Sequence, residues 1–155
     1  KLKQKPPKEW IVDLMATFVF LEYRFAAPRL KIVGDMMMFW ANAGSEVSCP
    51  HIFEDSREAL RLVQEPGSTV RPIRMAAVWS DDIYEITFEE TKDVYGSGID
   101  LTARLLALAG QGEIIMNEAF HKRIGNAPGI EGPWTFHLKG FPSVKAFKYH
   151  HAGGA

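Results

Sequence analysis

The sequence has little cysteine, no long hydrophobic run and almost no net charge. Its single cysteine, Cys49, excludes an internal disulfide framework and is typical of a reducing compartment, so we expect a cytoplasmic protein. No apolar segment in it approaches membrane-spanning length, and we expect no membrane partner. A net charge of -1 provides no basic field for a phosphate backbone, so we expect no nucleic-acid partner.

What the sequence does contain is the material of one globular domain. Its 155 residues are 46% hydrophobic and 24% charged, which is enough for one sizeable core. A second full domain would not fit. We expect a flexible lead-in over residues 1–9, a single domain over residues 10–150 and a flexible tail over residues 151–155.

Hydrophobic periodicity and turn residues predict an α+β fold in the first half of the chain. We predict a buried strand over residues 10–14 and a helix over residues 16–27. The segment LKIVGDMMMFWA predicts a hairpin whose tip is Gly34–Asp35. Asp55, with Glu58 three residues later, predicts the start of the next helix.

The second half continues the alternation. We predict strands in RPIRMAAVW, IYEITF and EIIM, helices in GIDLTARLLALAG and NEAFHKRI, and a last hairpin from WTFHLKG and VKAFKYH. Asn117 is expected to cap the second of these helices. This order suggests a sheet with helices packed on one face.

Two carboxylates are candidates for a metal site. Asp13 is expected at the end of the first strand and Asp35 at the hairpin tip, where neighbouring strands could bring them together. Hard oxygen ligands suit magnesium or manganese. Two such ions held between carboxylates and a triphosphate can activate a hydroxyl and stabilise the leaving group. The alternative is that Asp35 is an ordinary turn residue and Asp13 caps a helix.

Asp100 and Arg104 lie four residues apart in a predicted helix, and therefore on one face of it. A pair at this spacing is usually a surface ion pair. The preceding run ETKDVYGSG places two glycines just before the helix N-terminus, where anions are favoured. This context indicates a binding loop.

Three blocks in the same order carry a resemblance to a known family. LKIVGDMMMFW, KDVYGSGIDLTARLLALAGQGEIIMNE and FHLKGF resemble the catalytic domain of class III adenylyl and guanylyl cyclases, with a weaker match at WIVDLM. The resemblance implies a ferredoxin-like core with helices packed on a mixed sheet. It also implies a head-to-tail homodimer with two active sites in the interface. Each site would convert a nucleoside triphosphate into a 3′,5′-cyclic monophosphate and pyrophosphate.

The resemblance also implies roles for particular residues. Asp13 and Asp35 of one subunit would hold two divalent cations, Mg²⁺ or Mn²⁺. The other subunit would supply the catalytic residues: Arg104 to the α-phosphate, Lys139 to the triphosphate, and Asp100 near the ribose. Lys31 and Asp93 occupy the positions that read the adenine edge in adenylyl cyclases.

The chain departs from the family pattern in several places. Asp100 stands where the family usually has asparagine, and a carboxylate beside a triphosphate is repelled. The segment AAVWSDDIYEI replaces a glycine-rich strand and turn, so one phosphate-binding position has no clear match. The spacing from Asp13 to Asp35 is shorter than in the family.

The form IDLTARL, in a compact domain, resembles the bacterial pyrimidine cyclases of anti-phage signalling, whose cyclic UMP or cyclic CMP activates a separate effector. Lys31 and Asp93 favour adenine instead, so an adenylate cyclase is the first alternative. A catalytically degenerate domain that senses nucleotides is the second, favoured by Asp100. The third is an unrelated ferredoxin-like binding domain with structural carboxylates.

Overall fold

The computed structural model describes residues 8–42, 47–68 and 70–151. The expected tail residues 152–155 and lead-in residues 1–7 lie outside these ranges, while Lys8 and Glu9 already belong to a helix. The helices are α1 (Lys8–Glu22), α2 (Cys49–Val63), α3 (Ser97–Leu106) and α4 (Glu118–Ile124). The strands are β1 (Arg29–Val33), β2 (Met36–Trp40), β3 (Met75–Ala77), β4 (Tyr84–Phe88), β5 (Thr91–Tyr95), β6 (Glu113–Asn117), β7 (Ile130–Phe136) and β8 (Val144–His150).

The strands form one central sheet and two hairpins. The four-stranded sheet has the order β3-β6-β8-β7, in which β3 runs parallel to β6 and the other neighbours are antiparallel. The hairpins β1–β2 and β4–β5 are separate two-stranded antiparallel sheets. The predicted α+β class, with helices packed on a mixed sheet, is confirmed.

Helices cover both faces of the central sheet, so the prediction of one covered face is wrong. Ile114 and Met116 of β6 pack in one cluster with residues of α2 and α4. Between them, Ile115 points to the other face and packs with Leu105 of α3. Side chains alternate along a strand, and an uninterrupted apolar run such as Ile114 to Met116 is typical of a strand that is buried on both faces.

The first element is a helix, and the predicted strand over residues 10–14 is wrong. Helix α1 runs without interruption from Lys8 to Glu22, and the Thr17 hydroxyl donates to the Asp13 carbonyl over 2.9 Å. A five-residue segment with four apolar side chains fits a strand and a helix equally well. With no glycine or proline between Lys8 and Glu22, the helix periodicity prevails.

Helix α2 begins earlier than predicted. Its N-cap is Ser48, whose hydroxyl accepts from the backbone N–H of His51 over 3.2 Å, and Pro50 follows in the first turn. Asp55 lies inside the helix, where its carboxylate accepts from the backbone N–H of Ala26 over 3.0 Å. The carboxylate interpreted as a cap therefore anchors the segment between α1 and β1.

The predicted helix over residues 16–27 is the second half of α1 and ends earlier, at Glu22, while the remaining elements follow the predictions in type except for one strand. The hairpin around Gly34–Asp35, helix α3 and the β7–β8 hairpin are confirmed, and Asn117 caps α4 by accepting from the backbone N–H of Phe120 over 3.0 Å. Strand β5 was not predicted, because TKDVY was interpreted as part of a glycine-rich loop. It pairs with β4 through the turn at Glu89–Glu90.

Candidate functional site

Lys31 and Asp93 form an ion pair between the two hairpins. The Lys31 ammonium lies 2.6 Å from Oδ1 of Asp93, although the two residues are 62 positions apart. Oδ1 also accepts from the backbone N–H of Val94, and Oδ2 accepts from the Tyr95 hydroxyl over 3.2 Å. The bond from Lys31, followed by that from Val94, holds the pKa of Asp93 below its ordinary value. The site therefore presents a fixed cation beside a fixed anion.

Glu85 of β4 makes a second connection between the hairpins. Its Oε2 atom accepts from Nε of Arg29 over 2.6 Å and from Nε1 of Trp40 over 2.8 Å. Arg29 and Trp40 are directly opposed across β1 and β2 at the open end of that hairpin. Lys92 of β5 approaches Oε1 of Glu85 at 3.7 Å. The Glu85 carboxylate thus bridges Arg29 and Trp40, a cross-strand pair of the β1–β2 hairpin.

The N-terminus of α3 is held by Asp82. Its carboxylate accepts from the backbone N–H of Ser97 over 3.1 Å and also from the Ser97 hydroxyl. These two bonds, the hydroxyl's first, lower the pKa of Asp82. Gly98 lies against the same loop, because a Cβ there would be 2.7 Å from Cβ of Ser80 and 2.6 Å from Cγ1 of Ile83. Gly96, whose Cβ would likewise overlap the backbone of Asp82, and Gly98 are the two glycines of the predicted binding loop. They therefore let residues 80–83 lie close to the start of α3.

Helix α3 presents Asp100 and Arg104 at its surface. Both are exposed and lie one helical turn apart. The Arg104 guanidinium lies 5.9 Å from the centre of the Phe141 ring. Phe141 belongs to the β7–β8 connection, in which its N–H donates to the carbonyl of Leu138, next to the exposed Lys139. The structure therefore places Arg104 beside the loop that carries Lys139.

The two predicted metal ligands lie on different elements. Asp35 is exposed in the two-residue turn between β1 and β2, as predicted, where Gly34 adopts a φ of 60°. Asp13 is exposed on α1 and not at the end of a strand. Within residues 8–42, 47–68 and 70–151, no group of three or more histidine, cysteine or acidic side chains is placed to hold a metal ion.

Sequence reasoning missed Glu85, Tyr95 and Asp82. In YEITF, strand alternation separates Glu85 from Tyr84 and Ile86, which marks it as a polar residue on the other face. Recognising KDVY as a strand would have placed Tyr95 on the same side as Asp93. For Asp82, the only signal was an acidic residue ahead of a helix whose first residues, GSG, lack a carboxylate cap.

The chain matches proteins of greater length. No protein-family model matches it. One protein of Mycobacterium tuberculosis (strain H37Rv) and one of Mycobacterium bovis are each 29% identical to it over 123 residues, which is 78% of this chain. Both are described as uncharacterized, and the match spans 29% of their length. In the described part of the chain, each helix is too short or too polar to cross a lipid bilayer.

Solved structures of nucleotidyl cyclases resemble the fold closely. The guanylyl cyclase Cya2 superposes with a TM-score of 0.71 at 18% identity, over 94% of this chain and 82% of its own. The adenylyl cyclase CyaB from P. aeruginosa gives a TM-score of 0.68 at 14% identity, over 96% and 86%. The catalytic core of a rhodopsin-guanylyl cyclase in complex with ATPαS gives 0.66 at 14% identity, over 94% and 85%. The chain therefore has the fold of class III nucleotidyl cyclase catalytic domains.

Proposed function

We propose that this chain is the catalytic domain of a nucleotidyl cyclase, which converts a nucleoside triphosphate into a 3′,5′-cyclic monophosphate and pyrophosphate. The observation that carries the proposal is the ion pair between Lys31 and Asp93. The family resemblance singles out these two residues from different blocks of the sequence, and the fold brings them within 2.6 Å. A fold of the cyclase type supports the same activity.

Asp13 and Asp35 are the proposed holders of two divalent cations, Mg²⁺ or Mn²⁺. Their chemistry fits, since Mg²⁺ is commonly bound by one or two carboxylates together with substrate phosphates. Asp35, exposed at a hairpin tip, can offer both oxygens. When bound, such ions lower the pKa of a hydroxyl and neutralise charge on the phosphates.

The reaction joins the ribose 3′ oxygen to the α-phosphorus. The bond from this phosphorus to the oxygen that bridges the α- and β-phosphates breaks, pyrophosphate leaves with that electron pair, and the hydroxyl proton passes to solvent. Arg104 would stabilise the negative charge that develops on the α-phosphoryl oxygens, because its guanidinium offers a fixed fork of donors. Lys139 would bind the triphosphate as a point charge. In the proposed homodimer these residues face the metal ligands of the other subunit.

The Lys31–Asp93 pair supports a preference for adenine and cytosine, in which an amino group lies next to an unprotonated ring nitrogen on the edge away from the sugar. Lys31 can donate to a ring nitrogen, and Asp93 can accept from an amino group. Adenine and cytosine both present this pattern, whereas guanine and uracil present a carbonyl oxygen and a ring N–H in the opposite order. Among the pyrimidine substrates the proposal therefore favours CTP over UTP, with ATP as the alternative. A cytoplasmic role in anti-phage signalling, with the product bound by a separate effector, rests on the resemblance of IDLTARL alone.

A second candidate function is that of a nucleotide sensor. The exposed Asp100 on α3 favours it, because a carboxylate near the ribose opposes the approach of a triphosphate. A sensor would bind nucleotide without releasing pyrophosphate.

The experiment that tests the proposal is a product assay with ATP, CTP, GTP and UTP separately, in Mn²⁺ and then in Mg²⁺. We expect a cyclic nucleotide from CTP or ATP and its loss in Asp35→Ala. Glu90→Ala is the matched control, because it removes an exposed carboxylate at the turn of the other hairpin. Its activity should equal that of the wild type.

Each other outcome decides against a specific part of the proposal. Nucleotide binding without product would leave the sensor function in its place. Unchanged nucleotide affinity in both Asp13→Ala and Asp35→Ala, with no product from any triphosphate, would indicate an unrelated binding domain. Product from UTP or GTP alone would contradict the preference for adenine and cytosine.

A further inference from the structure

Glu85 is connected to both residues of the Lys31–Asp93 pair through the strands that carry them. On β1, Lys31 is two residues from Arg29 and therefore points to the same side of the strand. On the other hairpin, Glu85 is connected through the backbone to Ile86, the cross-strand partner of Asp93, although the Glu85 side chain points to the opposite face of β4. A shift at the contact between Glu85 and Arg29 would therefore displace Lys31 relative to Asp93.

The position of this pair matters because selection between bases depends on it. On this edge, guanine and uracil offer the same kinds of group as adenine and cytosine, but with donor and acceptor in reversed order. A mobile ammonium and carboxylate could exchange places and pair with either kind. A pair held in one arrangement can pair with one kind only.

Glu85 has the contacts that such a fixed arrangement needs. One oxygen, Oε2, accepts from both Arg29 and Trp40, which close the open end of the β1–β2 hairpin. About a quarter of its side chain is exposed, 26%, so the carboxylate is partly shielded from water. Because β1–β2 and β4–β5 are separate two-stranded sheets, side chains such as these determine how the hairpins sit together.

We propose that Glu85 is a positioning residue for base recognition, which holds the β1–β2 hairpin against β4 so that Lys31 and Asp93 keep fixed places. The inference rests on the proposed cyclase function. Asp35, at the opposite end of the same hairpin, is separated from Arg29 by the whole length of β1 and by its hydrogen-bond ladder. Glu85 should therefore affect base selection more than turnover.

The test is Glu85→Gln, which keeps the shape of the side chain and removes the charge that faces Arg29. The ratio of kcat/KM for CTP and ATP to that for GTP and UTP should fall by about two- to fivefold, the range of a partly exposed ion pair. The change should appear in KM, with kcat for the preferred base retained. Lys92→Gln is the matched control, because it removes a cation near Glu85 within the same hairpin, and it should leave the ratio unchanged.

A measurement without substrate separates this inference from the cyclase proposal. In Glu85→Gln, carbon NMR of the carboxylates should show the pKa of Asp93 rising toward its ordinary value, because the contact with Lys31 loosens. Trp40→Phe, which removes the other donor to Oε2, should shift it in the same direction. An unchanged Asp93 pKa in both folded variants, or an unchanged base ratio in an active wild-type background, would overturn the role of Glu85. Absence of any cyclase product would contradict the proposed cyclase activity, whereas the Asp93 pKa would still test the role of Glu85.

Discussion

Ser97 donates both its backbone N–H and its hydroxyl to the carboxylate of Asp82, fifteen positions earlier in the chain. The bond places a negative charge at the first residue of α3, where the helix dipole favours it. Because α3 carries Asp100 and Arg104, this contact orients the helix that faces the proposed substrate.

Asp82→Asn should lower the thermal stability of the protein in a pH-dependent way. The pKa of Asp82 is lowered in the folded state, so its contribution is complete above the ordinary value of 3.8 and disappears as pH falls through the lower folded-state value. The Tm difference between wild type and variant should thus be largest above the ordinary pKa of an aspartate and shrink as pH falls below it. Asp81→Asn, at the neighbouring exposed aspartate, is the control. A Tm difference that stays constant across this range would contradict the linkage.

Gly98→Ala should destabilise the fold by about 1–3 kcal/mol, since the added methyl group would overlap atoms close to the backbone of Ser80 and Ile83. Urea unfolding followed by circular dichroism measures the change. Gly67→Ala is the comparison, because its Cβ would meet open space and cost only the strain of a positive φ, about 1 kcal/mol. If Gly98→Ala unfolds at the wild-type urea concentration, the close approach between α3 and this loop is wrong.

Leu105→Ala should cost about 2–5 kcal/mol of unfolding free energy. Leu105 is fully buried and packs with Ile115 and Ala146 between α3 and the central sheet. Ile11→Ala, at a side chain that is half exposed on α1, should change the same quantity by less than about 0.5 kcal/mol. Equal effects in chemical denaturation would show that α3 does not cover the second face of the sheet.

Asp100→Asn should raise kcat/KM of an active enzyme by about tenfold, because it removes a like charge from the neighbourhood of the triphosphate. Asparagine can also donate a hydrogen bond to the ribose, which an ionised aspartate cannot do. Steady-state kinetics at saturating Mn²⁺ measures the effect. A fall in kcat/KM would instead support the catalytic part near the ribose that the family resemblance implies for Asp100.

The elements that the sequence predicted correctly are those with strong local signals. Gly34–Asp35 between two apolar segments specifies a hairpin turn, and Asn117 before an apolar helix face specifies a cap. The error at residues 10–14 arose because a five-residue segment with four apolar side chains is too short to show a period of its own. Strand β5 was missed because its pairing partner, β4, supplies the stabilisation that TKDVY lacks alone.

The candidate site was predictable only where a family resemblance supplied the pairing. Spacing along the chain cannot show that Lys31 meets Asp93, since the contact depends on how two hairpins pack. The contacts of Glu85 with Arg29 and Trp40 have the same origin and no local signature. Long-range ion pairs of this kind require the structure.

The separation of the β1–β2 and β4–β5 hairpins from the four-stranded sheet has a consequence for amide hydrogen exchange. Their backbone hydrogen bonds can open while the central sheet stays closed, so these amides should exchange faster than those of β6 and β8. A nucleotide that contacts Lys31 and Asp93 together would slow exchange in both hairpins at once. Ligand binding would then be visible as cooperative protection of two strand pairs that share no backbone ladder.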